Sequence, residues 1–340
     1  MWTILVLVLG QGLGLSVDYP FYHSTEYIRS AVEKLKHTCA APISVQSHSC
    51  GDHNCQIDVV DIGHSSSSMF KVFYLFGEHA RELVSPETAL GLMNDLCSPN
   101  PTSVTKSTLT KTVFRIIPNG NPGSRKIVES GQYCLRSNPR GVDLNRNWDA
   151  SWRPEPVVDD DQVNPGPRPF SEIETQIFKS AIVEFEPSVF ASIHSGTLGM
   201  YMPWAFGGEQ EGVTRPVRNA DKMGHVLQEL DAKFCQCPAG GAQKEVGYAS
   251  PGTCLDWVHS HTRTQFSYAF EIFTGYGVGG LRERYKRQQS SLRPQTSLLE
   301  LDQDNCFTQF NPETEEVLKR TVSNWSNALI ELAVISAQTI

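Results

Sequence analysis

Short apolar runs separated by stretches of helical periodicity set the pattern of this chain. Gln56 to Ile62, Phe70 to Phe76, Thr112 to Ile117, Val189 to Ile193 and Phe266 to Phe273 are rich in β-branched or aromatic residues and are of strand length. Ser24 to Leu35 places Tyr27, Ile28, Ala31 and Leu35 on one side of a helix. Ser85 to Leu96, Ser171 to Phe185, Val217 to Phe234, Cys254 to Ser260 and Pro312 to Ala337 also read as helices. Ser24 and Ser85 are the expected caps of the first two, with Pro86 at the first position of the second. Ser171 with Glu174 makes a capping box for the third. Strands alternating with helices predict an α/β fold, a single domain whose central mixed, largely parallel sheet is covered by helices on both faces. Pro118 to Arg168 is irregular and rich in Arg, Asn and Trp, which points to function, and Gly275 to Asp304 reads as a hydrophilic surface excursion.

Composition narrows the classes. With 340 residues, 39% of them hydrophobic, the chain can bury a sizeable core. A net charge of −8 and a pI near 5.7 argue against a nucleic-acid surface. The basic cluster Arg282 to Arg287 is interrupted by Glu283 and reads as a solvated loop. Residues 1–16 read as a secretory signal peptide: the apolar stretch is too short to cross a bilayer, although its start lacks Lys and Arg. Residues 17–340 then form the functional domain, expected to be soluble and monomeric, with no later stretch suited to a membrane. Nine Cys fit an oxidising compartment, either the extracellular space or the lumen of a vacuole or other endomembrane compartment. Cys39 with Cys50 and Cys55 with Cys97 are candidate pairs, Cys306 needs a distant partner, and the odd count leaves one thiol over. Asn324-Trp325-Ser326 is a glycan acceptor sequence, although it falls in a predicted helix.

Candidate chemistry gathers at strand ends. His79 and Glu82 follow the Phe70 to Phe76 strand, and a histidine and a carboxylate three positions apart can converge on one cation. His194 follows Phe190-Ala191-Ser192-Ile193, and Glu271 interrupts Phe270 and Ile272. Two histidines and one glutamate leave a fourth position for water, which is the pattern of a catalytic rather than a structural zinc. A lone buried histidine is more often a satisfied core residue, so His194 gains weight only from this set. An ionised carboxylate in a strand as apolar as that of Glu271 costs several kcal/mol unless it is paired or faces a site, which makes Glu271 the candidate base.

The run Arg136 to Trp148 contains Asp143-Leu144-Asn145-Arg146-Asn147. Together with His79-x-x-Glu82, the Ser192-Ile193-His194 strand end, Tyr248 followed by Gly252-x-x-x-Asp256-Trp257, and Phe270-Glu271, the chain resembles the carboxypeptidase A-like zinc metallocarboxypeptidases. The matching motifs run in family order from about residue 20 to the C-terminus. The resemblance implies one Zn2+ per chain, held by His79, Glu82 and His194. It makes Glu271 the base that deprotonates a zinc-activated water and passes the proton to the leaving amine. Arg136 would stabilise the tetrahedral oxyanion. Asn145 and Arg146 would grip the terminal carboxylate of a peptide or protein, making the enzyme an exopeptidase. Tyr248 would close over the substrate, Asp143 would orient His79 through its other ring nitrogen, and Arg81 matches a peptide-binding arginine, with a salt-bridged surface role weighed equally. Leu255 falls where the family lines the floor of its side-chain pocket, so apolar or aromatic C-terminal residues are expected. Asp256 is expected to be structural.

Departures from the family pattern carry further expectations. The short segment before the first helix has no room for a large inhibitory prodomain. Gly196, where the digestive branch has a bulky Tyr, suggests a wider subsite beyond the scissile bond. Glu271-Ile272-Phe273 lacks the usual Arg-Asp after the base. The alternative to an active enzyme is a catalytically inactive member that uses its cleft to bind peptides. A related hydrolase acting on small acyl or amide groups is disfavoured by the carboxylate-binding pair.

Overall fold

In the computed structural model the strands are β1 (Ile43–Ser49), β2 (Gln56–Ile62), β3 (Phe70–Phe76), β4 (Thr112–Ile117), β5 (Val189–His194), β6 (Leu198–Met202), β7 (Ala239–Gly241) and β8 (Phe266–Ile272). They join in one eight-stranded sheet of order β1-β2-β4-β3-β5-β8-β6-β7. The structure describes residues 19–51, 55–64, 69–155, 161–207, 215–275 and 303–340. The signal segment 1–16 and the basic cluster Arg282 to Arg287 lie outside them.

Pairings β4–β3, β3–β5, β5–β8 and β6–β7 are parallel, whereas β1–β2, β2–β4 and β6–β8 are antiparallel. The sheet is therefore mixed and largely parallel, as the strand–helix alternation predicts. Alternation along β3 explains why its sequence is apolar throughout. Val72, Tyr74 and Phe76 enter one core, while Phe73 and Leu75 enter another on the opposite face.

Helices α1 (Thr25–Thr38), α2 (Val84–Cys97), α6 (Ala220–Leu230) and α10 (Glu315–Thr339) supply apolar residues to the first core. Helices α5 (Ile173–Phe185) and α8 (Cys254–His261), with Trp148 from the irregular run, fill the second. The remaining helices are α3 (Ser103–Leu109), α4 (Pro122–Glu129), α7 (Ala242–Val246) and α9 (Gln303–Phe310), of which α4 corrects the reading of Pro118 to Arg168 as irregular: Asn121 caps it and Pro122 opens it.

Three capping expectations have different outcomes. Ser24 caps α1, its Oγ accepting from the Tyr27 N–H at 3.1 Å. Ser171 does not cap α5: its hydroxyl donates to Glu172, and Glu174 is taken by Asn138. Ser85 does not cap α2, which begins at Val84 after Leu83. Its hydroxyl instead accepts from the Gly77 N–H at 3.0 Å and donates to the Ile193 carbonyl at 2.6 Å. The ends of β3 and β5 are thereby tied to the start of α2.

The disulfides are Cys39–Cys97, Cys50–Cys55, Cys134–Cys306 and Cys235–Cys237, with Cys254 the buried free thiol. The candidate pairs Cys39–Cys50 and Cys55–Cys97 are thus corrected, because the fold sets Cys39 at the end of α1 beside the end of α2. Asn324 donates its side-chain amide to the Phe234 carbonyl at 2.9 Å, which engages the group a glycan would need. Among the described residues no helix is long and apolar enough to cross a membrane.

Replacing Ser85 by Ala strands a buried N–H and a buried carbonyl. The Ser85→Ala protein should lose about 1–3 kcal/mol of unfolding free energy in urea titrations. A loss below about 0.5 kcal/mol would show that the strand ends are held by something else.

Candidate active site

Parallel register brings three distant chain segments to one sheet end. Phe76 of β3 lies opposite Ile193 of β5, and His194 lies opposite Glu271 of β8. His79 and Glu82 follow β3 directly, so the two histidines, Glu82 and Glu271 gather at the carboxyl ends of neighbouring parallel strands, where open α/β sheets place their sites.

His79 Nδ1 lies 2.7 Å from Glu82 Oε1, and His194 Nδ1 lies 3.1 Å from both Glu82 Oε2 and His79 Nδ1. These three residues are buried and form a possible metal-holding group. Ligand edges of this length approach the roughly 3.3 Å edge of a tetrahedron built on about 2 Å zinc bonds, and the nitrogen–oxygen donor set suits zinc. Burial works to raise the Glu82 carboxyl, but His79 and then His194 hold it well below the ordinary carboxylate range.

The other side of His79 meets Asp143, with Nε2 3.1 Å from Oδ1. The second oxygen of Asp143 accepts from Arg136 Nε at 2.8 Å. Burial works to raise Asp143, yet Arg136, His79 and Arg146 hold it well below the usual range. Arg136 is likewise kept charged against burial by Asp143 and Glu82. Asp143 also caps a short turn, Leu144–Arg146, through the Asn145 N–H at 2.9 Å.

That turn carries Asn145 and Arg146. Asn145 Oδ1 accepts from the Cys254 N–H at 2.9 Å, and its amide nitrogen faces His194 Nε2 at 3.5 Å. Arg146 donates to the Asn145 carbonyl at 2.7 Å and to Ser250 Oγ at 3.2 Å. Gly252, at φ +76°, is required beside it: a Cβ there would lie 2.3 Å from the Arg146 carbonyl oxygen. Asn147 anchors the turn from behind, donating to Pro165, Arg168 and Ser171 and accepting from Glu172 and Thr175.

Glu271 is half-buried, and Thr197 N–H approaches its Oε2 at 3.4 Å. Burial and the nearby Glu82 raise its carboxyl to about 7, opposed by His194. Tyr248 lies within electrostatic reach of Arg136 and of the Tyr201 phenol. Leu255 is buried in a small apolar cluster with Tyr201, Ala205 and Ala242, against which Val246 and Ala269 pack. Asp256 accepts from the Ala205 and Phe206 N–H groups at 3.0 Å, the structural role expected of it.

Arg81 is held by several described neighbours. Its guanidinium donates to the Cys134 carbonyl and to Gln162, and stacks 4.1 Å from the Phe310 ring centroid. The same ring corrects the expectation at Gly196. A Cβ on Gly196 would lie 2.3 Å from Phe310, so an aromatic side chain from α9 fills the space that the missing side chain suggested was open.

Sequence reasoning passed over Glu78, Asn147, Tyr201 and Phe310. Glu78 had a usable signal, a second acidic residue beside His79 at the end of an apolar run. Phe310 had none, because only the fold brings it to Gly196.

The sequence profile of the zinc carboxypeptidases matches residues 29–291. Carboxypeptidase B of Astacus astacus is 23% identical over 271 residues, which cover 75% of this chain and 88% of that protein. Mouse carboxypeptidase A2 is 25% identical over 290 residues, 77% of this chain but only 65% of that protein. Among solved structures, thrombin activatable fibrinolysis inhibitor superposes with a TM-score of 0.72 at 17% identity, covering 96% of this chain and 77% of that one. The carboxypeptidase A of Helicoverpa armigera gives a TM-score of 0.69 at 18% identity, covering 94% and 75%. These superpositions establish the α/β fold. With the profile match over most of its length, this chain belongs to the zinc carboxypeptidase family, a family of metallohydrolases.

Proposed function

We propose that this chain is a zinc-dependent exopeptidase that releases the C-terminal residue of peptides or proteins and prefers an apolar or aromatic one. The observation that carries this is the Asp143 junction. One carboxylate orients His79 on one side, and on the other it caps the turn that presents Asn145 and Arg146.

His79, Glu82 and His194 would hold Zn2+, which when bound acidifies water and polarises a carbonyl. Glu271, on the strand beside His194, takes a proton from the attacking water and returns it to the leaving amine. Arg136, fixed through its Nε to Asp143, donates its remaining N–H groups to the developing oxyanion. The planar fork of Arg146 suits a terminal carboxylate, with Asn145 as the second contact and Tyr248 closing over the bound residue. Arg81, on its Phe310 platform, meets the peptide further from the cut bond. The cluster around Leu255 receives the terminal side chain, because an uncompensated charge there would be buried among apolar groups. Four disulfides suit secretion or an endomembrane lumen.

Blocked dipeptides ending in Phe, Leu, Arg or Glu test this directly. Phe and Leu should be released fastest, a chelator should stop release, and zinc should restore it. Release of none of them would overturn the enzyme assignment; preferential release of Arg would overturn the Leu255 pocket. Glu271→Gln should lower kcat by about 100-fold or more while zinc content stays unchanged.

The pH dependence follows from Glu271. Its carboxyl, raised to about 7 by burial and Glu82, accepts a proton only when ionised. Activity should therefore fall as pH drops through its pKa. Solvent contact and a bound cation both favour the ionised form, so the acidic limb of kcat/KM should lie at or below about 7. A limb centred above pH 8 would point to a different base.

A further inference from the structure

Glu78 is a buried carboxylate for which the chemistry above has no use. It is 1% exposed and directly precedes His79. Its Oε1 accepts from Trp148 Nε1 at 3.1 Å. Its Oε2 accepts from Cys254 Sγ at 3.6 Å and lies 3.6 Å from His194 Nε2. Trp148 and Cys254 can only donate to it, leaving an acceptor facing the ring of His194.

His194 needs such an acceptor. Its Nδ1 faces Glu82 and His79, so Nδ1 is the nitrogen offered to a metal. A neutral imidazole that ligates through Nδ1 carries its proton on Nε2. In a site shielded from water that N–H is costly unless paired. Besides Glu78, the Asn145 side chain lies near Nε2. The Cys254 N–H, however, fixes Asn145 Oδ1 away from the ring and turns a donor amide toward it. Two donors cannot satisfy each other.

Resting on the zinc assignment made above, we propose that Glu78 is the positioning carboxylate of His194, as Asp143 is of His79. It fixes the tautomer and ring orientation that present Nδ1 to the metal. The present 3.6 Å is longer than a hydrogen bond, and a shift of about 0.7 Å in ring or carboxylate closes it to the usual 2.9 Å. Such a partner also raises the basicity of the ligand nitrogen, so it acts on metal affinity rather than on substrate contacts. Glu78 thereby ties together the segment carrying His79, the end of β5 and, through Trp148, the loop that carries the clamp.

The test measures zinc, not peptide cleavage. Zinc dissociation constants of full-length wild type, Glu78→Gln and Glu78→Asp would be obtained by competition with a chelating dye, beside the melting temperature of each apoprotein. Glu78→Gln should bind zinc about 10- to 100-fold more weakly at a melting temperature close to wild type, and Glu78→Asp should recover part of the loss. In the zinc-loaded wild type, 15N-histidine spectra should show a slowly exchanging His194 Nε2–H close to the Glu78 methylene protons. That measurement stands even if the Gln variant does not fold. Unchanged zinc affinity in a folded Glu78→Gln, or a rapidly exchanging His194 proton, would overturn the role of Glu78 alone. A wild-type protein that binds no zinc would overturn the metal site itself.

Discussion

Negative charge taken out of water is the constraint around which this molecule is built. Glu78, Glu82 and Asp143 are 1%, 2% and 0% exposed and lie around two imidazoles. An ionised carboxylate in such surroundings costs several kcal/mol unless paired and hydrogen-bonded. Arg136 answers Asp143 at 2.8 Å but stands 3.8 Å from Glu82. Arg136 and Arg146 both bear on Asp143, and the buried group His79, Glu82 and His194 is one that could hold a cation beside them. Burial works to keep His194 neutral, yet Glu82 and Glu271 push it up to about 9. The preference of this cluster for positive charge is thus a property of its carboxylates rather than of its histidines.

The sheet turns that charge cluster into a site. Neighbouring strands lie about 4.8 Å apart, so side chains at adjacent parallel ends meet without long loops. His79 and His194 are 115 positions apart, yet their ring nitrogens approach to 3.1 Å because β3 and β5 pair in register. Ser85 locks that register at the end that matters, joining the Gly77 N–H to the Ile193 carbonyl. The polar residue that local pattern assigns to a helix start is used instead to hold the floor of the site.

What could be read without coordinates follows from this division of labour. Strands β2, β3 and β4 match their apolar runs residue for residue, since burial on both faces leaves an unmistakable signal. The edge strand β1 escaped notice because Ile43–Ser49 is half-exposed and mixed in character. Strand β7 escaped for a different reason, being three small residues in a Gly-rich stretch. The possible metal group His79, Glu82 and His194 was legible because its chemistry is unusual at apolar strand ends. Contacts between remote segments were not. Nothing near Gly196 announces Phe310, and nothing in the spacing of Cys39 and Cys97 announces their bridge.

Asp143 joins a histidine of the possible metal group to the turn that carries Asn145 and Arg146. Its Oδ1 faces His79 Nε2 and accepts the Asn145 N–H, while its Oδ2 holds Arg136. His79, Arg136 and the turn carrying Asn145 and Arg146 are therefore referred to a single buried carboxylate. On the proposed function, the spacing between the cut carbonyl and the gripped carboxylate would be set by these local bonds, and a clamp so fixed would accommodate one residue beyond the cut bond. An internal peptide bond has more chain to pass and offers no carboxylate for Arg146 to grip. On the proposed function, exopeptidase character would rest on the geometry of this one turn.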